Sequence, residues 1–265
     1  MPSFEPYIQH LIPYLLVAFR LAGLGLFAPL FSSIMVPARI KGALILMLAA
    51  AVYPAVPHHP VFDATLTLPQ LLVLILTESL IGFVVGFLAS LPMLGAQAGG
   101  VIMGQQVGMG LGQVYNPAFD TESDPFSQLL SFLTTATFLA VGGLESTFRA
   151  VLDTFRSIPM GAMSAQIMPG ELIIGTLGSA FELALRVSAP VMAITFLLLA
   201  AFGFLGRTMP QFNVINLGFT IKIIAALAIL ALSLSTTNIA IGEEITMTLR
   251  SMFRWAHPHS GGIHG

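Results

Sequence analysis

TLPQLLVLILTESLIGFVVGFLASLPMLGAQAGGVIM, residues 67–103, carries a single ionisable side chain, Glu78. A bilayer core about 30 Å thick takes roughly 20 apolar residues to cross as a helix. This stretch has room for one long tilted segment or for two. Lipid offers no hydrogen bonds to a backbone, so such a run must satisfy its own amides as α-helix. No period-two alternation argues for strands. At its start, Thr67, Leu68, Pro69 and Gln70 form a T-x-x-Q capping box with proline in the first turn.

Further apolar stretches cover about residues 8–31, 42–57, 126–144, 171–206 and 214–241. The second is short for a crossing, whereas 171–206 again allows two segments. Pro190 lies inside it and predicts a kink or a break. Asp124 before Pro125 reads as an N-cap acid followed by proline at the first helical position. The helix that follows is expected to stop at Gly142-Gly143.

Composition agrees with a membrane protein. Charged residues are 8% of the 265 and the residues AVILMFWYC 56%, where a soluble domain carries about 25% charge. So few charges cannot coat a folded chain in water, which argues against a soluble enzyme, and a disordered chain needs low hydrophobicity. Ten Lys and Arg against twelve Asp and Glu leave no basic stripe for nucleic acid. Cysteine is absent, which removes disulfides and thiol chemistry. The first ten residues hold Glu5 and no Lys or Arg, so the basic start of a cleavable signal is missing and the first stretch is expected to stay. Arg39 and Lys41 fall on the opposite side from Arg149 and Arg156 if every stretch crosses once, so the basic residues give no clean orientation. The expected fold class is all-α, with polytopic membrane-associated helices, some of them in hairpins that do not fully cross.

Five ionisable residues stand inside apolar stretches: Arg20, Glu78, Glu182, Arg186 and Lys222. Each is costly at bilayer depth unless compensated. Glu182 and Arg186 are spaced to pair on one helix turn. Arg20, Glu78 and Lys222 lack a local partner and are expected to bond across helices, to another subunit or to water.

Gly99–Gln113, GGVIMGQQVGMGLGQ, has two readings. On a helix, Gly100, Gly104, Gly108 and Gly112 would line one ridge for close helix packing. Alternatively the glycine content weakens the helix and makes a bendable, nearly uncharged loop, tolerated at membrane depth only when buried in protein or lining a cavity. The residues then in question are Gly104, Gln105, Gln106, Gly108, Met109, Gly110, Gly112, Tyr115 and Asn116, in a loop spanning about 104–124. The two readings coexist if the helical part packs and the loop part obstructs a pore.

Enzyme and metal signatures are missing: no G-x-x-x-x-G-K-[ST], no H-E-x-x-H, no G-x-S-x-G. His58-His59 and the histidines of residues 251–265 form no convincing metal site, and that C-terminal stretch reads as a flexible tail. No catalytic residue, metal or cofactor is expected. In RTMPQFN, Arg207 complements a helix C-terminus, Pro210 prevents continuation, and Gln211 and Asn213 offer hydrogen bonds at the turn.

RTMPQFNVINLGFTIKI, residues 207–223, resembles the signature of the FliR family of flagellar export-gate proteins. FRLAGLGLFAPLFSSIMVPARIKGAL near the N-terminus, GQQVGMGLGQVYNP in the middle and FRSIPMG at 155–161 agree with it, so the resemblance spans about residues 10–250. Lys222 falls within the same block, whose context is nearer the flagellar than the virulence-secretion branch. Family members often carry a Gly-His-His-type turn where this chain has Gly142-Gly143-Leu144-Glu145, so no role of those histidines carries over.

The resemblance implies a non-enzymatic subunit of a flagellar type III export gate in the bacterial inner membrane, within the basal body. It implies FliP- and FliQ-like partners, FlhB- and FlhA-like export components and unfolded flagellar protein substrates. It also implies that the loop around Gly104–Asn116 plugs the closed pore. The alternative is a proton-coupled secondary transporter of small solutes, with Glu78, Glu182 and Arg186 as coupling site.

Overall fold

A computed structural model describes residues 5–27, 37–56, 67–109, 124–161, 169–208 and 214–256. Among them the regular structure is helical: α1 Glu5–Phe27, α2 Ala38–Val52, a 3-10 turn at Tyr53–Ala55, α3 Leu68–Val107, α4 Pro125–Ala140, α5 Gly143–Ser157, α6 Gly170–Thr208 and α7 Val214–Ala256. Five of these are long and apolar enough to cross a membrane. The chain is an all-α membrane protein.

Residues 67–103 form one continuous helix rather than two, and α6 is likewise continuous. Each has about twice the residues that a crossing takes. Pro190 does not break α6, and Pro92 does not break α3. The lost amide donor and the ring clash at an internal proline are tolerated here inside long apolar helices, where neighbours can hold the backbone.

Most starts follow the local chemistry. Gln70 Oε1 accepts the Thr67 N–H at 3.0 Å, the reach-back half of a capping box. Asp124 caps α4, its Oδ1 accepting the Phe126 N–H, with Pro125 at the first helical position. Gly142 sits at φ +74 between α4 and α5, a conformation that costs glycine little. Hydroxyls inside the helices bond their own preceding turn: Thr134 donates to the Leu130 carbonyl at 2.7 Å and Thr195 to that of Val191 at 2.8 Å. That answers the cost of an unpaired hydroxyl in an apolar setting.

Two boundaries differ from the sequence reading. α7 runs to Ala256, six residues into the stretch expected to be a flexible tail, because Leu249, Met252 and Ala256 recur at helical spacing and are buried. The remaining tail, 257–265, lies outside the described residues. α5 has no counterpart among the apolar stretches. It is amphipathic, with Thr147, Ala150, Val151, Thr154 and Phe155 buried and Glu145, Arg149 and Arg156 exposed.

The chain divides into two compact units. One draws on Met1–Leu91, Gly142–Thr176 and Thr246–Gly265; the other on Pro92–Val141 and Leu177–Ile245. Both carry outward apolar side chains, with Leu68 of the first and Leu232 of the second each 82% exposed. Faces of that kind need lipid or another polypeptide against them.

Candidate functional site

In the first unit α1 and α3 cross through glycine. A Cβ on Gly23 would collide with the Ser79 carbonyl, and one on Gly82 with the Arg20 carbonyl. Only side-chain-free positions let two backbones come this near. The crossing brings Arg20, one turn before Gly23, to Glu78, one turn before Gly82.

Arg20 and Glu78 are both fully buried. Arg20 Nε donates to Glu78 Oε2 at 2.6 Å, while the Gly161 N–H donates to Glu78 Oε1 at 3.0 Å. The rest of the guanidinium reaches Thr154 Oγ1 at 3.2 Å and the Ile158 carbonyl at 3.4 Å. Its flat face lies 4.1 Å from the centre of the Phe155 ring, within cation–π range. Gly161 has φ +79, which suits glycine and aims its N–H at the carboxylate.

Every polar end of this pair thus finds a partner. Both carboxylate oxygens are used, and the guanidinium is shared between an acid, a hydroxyl, a carbonyl and a ring. A buried ion pair repays its desolvation only with such extra hydrogen bonds. The stretch FRSIPMG supplies the ring at Phe155, the carbonyl at Ile158 and the N–H at Gly161, so it acts as the socket that accepts the pair.

In the second unit the glycines of α3 serve two faces. A Cβ on Gly95 or Gly99 would press on the Ala180 or Ala184 backbone of α6, and one on Gly100 or Gly104 would collide with Ser127 or Asp124. Each face uses an i, i+4 glycine pair, the small-xxx-small pattern of helix contacts. Gln97 Nε2 also donates to Ser131 Oγ at 3.0 Å, tying α3 to α4.

The ridge does not continue through all four glycines at that spacing. α3 ends at Val107, and Gly108 adopts φ +96. The Gly108 and Met109 N–H groups both donate to the Gly104 carbonyl, at 3.1 and 3.0 Å. The second of these bonds is the six-to-one closure of a Schellman cap. Gln105, Gln106 and Val107 are therefore still helical, so non-helical chain starts at Gly108, four residues past the expected start of the loop. Gly110, Gly112, Tyr115 and Asn116 lie outside the described residues.

At the far end of this segment Asp124 opens α4 with its carboxyl packed on Gly104. Oδ1 holds the Phe126 N–H at 3.3 Å, while Oδ2 is buried without a hydrogen-bond partner. Burial raises the Asp124 carboxyl above its ordinary range, against the lowering effect of the Phe126 N–H. Gly108 and Met109 on one side and Asp124 on the other thus both meet Gly104.

The other charges are placed more simply. Arg186 donates to Glu182 at 3.2 Å and lies 3.7 Å from Glu243; all three side chains are more than half exposed. Arg207 is exposed in the last turn of α6, and Lys222 is half-buried on α7. Neither has an ion-pair partner among the described residues. Pro210, Gln211 and Asn213 lie outside them.

Two features besides α5 escaped the sequence reading. Glu244, buried on α7 and accepting a hydrogen bond from Ser179 Oγ, lies just beyond the apolar run 214–241. Its signal was the continued 3.6-residue spacing of Ile241, Ile245, Leu249 and Met252. The second is the contact of the Asp124 carboxyl with Gly104, twenty residues apart, which no local pattern reveals. Among the described residues, no cluster of three or more His, Asp or Glu could hold a metal.

A family model described as "Bacterial export proteins, family 1" matches residues 11–247. A flagellar biosynthetic protein FliR of Aquifex aeolicus is 26% identical over 236 residues, covering 89% of this chain and 90% of that protein. The surface presentation of antigens protein SpaR of Salmonella typhimurium is 26% identical over 231 residues, 86% and 85% of the two chains. Yop proteins translocation protein T of Yersinia pestis is 25% identical over 187 residues, 69% and 70%.

Proposed function

Because the chain belongs to the bacterial export proteins, family 1, and is a membrane-embedded type III export component, we propose that it is a pore-forming subunit of a flagellar export gate whose glycine-rich segment plugs the closed pore. In this reading it assembles with FliP- and FliQ-like subunits in the bacterial inner membrane, at the flagellar basal body. FlhB- and FlhA-like components deliver unfolded flagellar proteins to it. The chain contributes shape and obstruction, and no bond is made or broken on it.

The observation that carries the plug is the shared base of the segment. Gly108 closes α3 on the Gly104 carbonyl, and Asp124 opens α4 on the same residue. Two chain ends that meet at one residue give the segment between them a common root. The exposed apolar faces of both units fit burial by sister subunits or lipid, and α3 and α6 exceed what one crossing needs.

The solute-transporter alternative fares worse at its proposed coupling acid. Glu78 spends one oxygen on Arg20 and the other on the Gly161 N–H and is fully buried, the arrangement of a structural pair rather than of a site open to a solute. Glu182 and Arg186 pair with each other near the surface.

Deletion of residues 106–112 tests the plug. In a gate reconstituted with its partner subunits in planar bilayers, the deletion is expected to raise ion leakage well above that of the intact gate. Unchanged conductance with assembly intact removes the plug from the proposal.

A further inference from the structure

The contact between α3 and α4 at Gly104 contains a group that its N-cap role does not explain. Capping needs one carboxylate oxygen, and Oδ1 supplies it to Phe126. Oδ2 is buried against Gly104 with nothing to accept from. An ionised oxygen in that place forgoes water and gains no hydrogen bond, which is unfavourable. A neutral carboxyl sits there at much smaller cost. The surrounding fields also conflict. The N-terminus of α4 favours a negative group, whereas Asp124 also touches the last turn of α3, whose carbonyls carry partial negative charge.

Among the described residues no other charge settles the matter. The last turn of α3 presents Met103, Gly104, Gln105, Gln106 and Val107, and the first turn of α4 presents Pro125, Phe126, Ser127 and Gln128, none of them titratable. Among the described residues no cation pairs with Asp124. Tyr115, Asp120 and Glu122, the titratable residues of the connecting segment, lie outside them.

We propose that Asp124 is a positioning residue whose proton sets how firmly the start of α4 is held on the last turn of α3 at Gly104. Protonated, the half-buried residue keeps Oδ2 in its buried contact on Gly104 while Oδ1 keeps the cap. Ionised, the carboxyl gains by lifting Oδ2 into water, and the α3 cap and the α4 start part. The proton comes from and returns to bulk water. Burial of the carboxyl favours the protonated form in the closed arrangement. Closure is therefore complete below the ordinary aspartate range and weakens as pH rises through the raised value. This inference rests on the plug reading for its biological meaning, but not for its measurement.

The test is amide hydrogen exchange on the assembled gate, read as protection factors for Gly108, Met109 and Phe126 from about pH 4 to about pH 8. Dividing by intrinsic exchange rates removes the trivial pH dependence. Protection is expected to fall several-fold across the window in the wild type. Asp124→Asn keeps a capping oxygen and cannot ionise, so it should stay flat at the level the wild type has in acid. Gly104→Ala places a Cβ where the carboxyl sits, and it should abolish the pH dependence while leaving the acid itself in place. A flat wild-type profile overturns the proposal, and so does a wild-type slope that persists in Asp124→Asn. Leakage from the 106–112 deletion is a separate readout, so a failed plug and a failed proton latch give different results.

Discussion

α3 packs through glycine in both units, and two of those contacts, at Gly82 in the first and at Gly104 in the second, are finished differently. At Gly82 the crossing with α1 surrounds an ion pair whose every polar end is bonded. At Gly104 the contact with Asp124 leaves a buried carboxylate oxygen with no partner. Close backbone approach is common to both, so it does not decide how firm a contact is. What decides is whether the polar groups carried into it are satisfied. The first is a fixed joint. The second depends on conditions, and it sits at the root of the segment proposed to move.

The largest effect should come from breaking the fixed joint. Glu78→Ala leaves the Arg20 guanidinium buried and short of its acid, a change that costs about 3–5 kcal/mol in buried pairs. Thermal unfolding in detergent should show a large loss of stability, or loss of folded protein. The double variant Arg20→Met, Glu78→Leu removes both charges and should recover most of that loss. If the double variant is as damaged as the single one, the joint depends on its charges in a way the satisfied pair does not explain.

Glycine positions give the middle of the range and separate two reasons for glycine. Gly100→Ala drives a Cβ into the Ser127 backbone, and forced separation of packed helices costs about 1–3 kcal/mol. Gly108→Ala meets a backbone at φ +96, and the left-handed conformation costs an ordinary residue about 1 kcal/mol. Only the first should loosen α3 from α4 when exchange of the α4 amides is followed. The second should act on the α3 cap alone.

What the sequence revealed followed from local physics. Apolar runs without charge marked the helices, and Asp124-Pro125 and Thr67-x-x-Gln70 marked two starts, because capping acts within a few residues. Arg20 and Glu78 stood out as costly in an apolar setting, but their pairing spans 58 positions and depends on Gly23 meeting Gly82. The expected ridge stops after Gly100 and Gly104, which both serve α4, because Gly108 ends the helix; Gly95 and Gly99, outside that spacing, serve α6 on another face. α5 makes no uninterrupted apolar run because it is amphipathic and its buried face is only a stripe. Membership of an export family was legible in short blocks such as RTMPQFN, although three of that block's residues, Pro210, Gln211 and Asn213, lie outside the described structure.

The smallest effect belongs to a contact that both units could do without. Gln70 reaches back to the Thr67 N–H at the exposed start of α3, far along the chain from either glycine contact. Its loss in Gln70→Ala exposes one amide that water can serve in its place. The cost should be about 0.5–1 kcal/mol. Exchange should quicken in the first turn of α3 and nowhere near Gly82 or Gly104. If the change instead loosened the Arg20–Glu78 joint, α3 would be transmitting strain along its length, and the two glycine contacts could no longer be treated as independent.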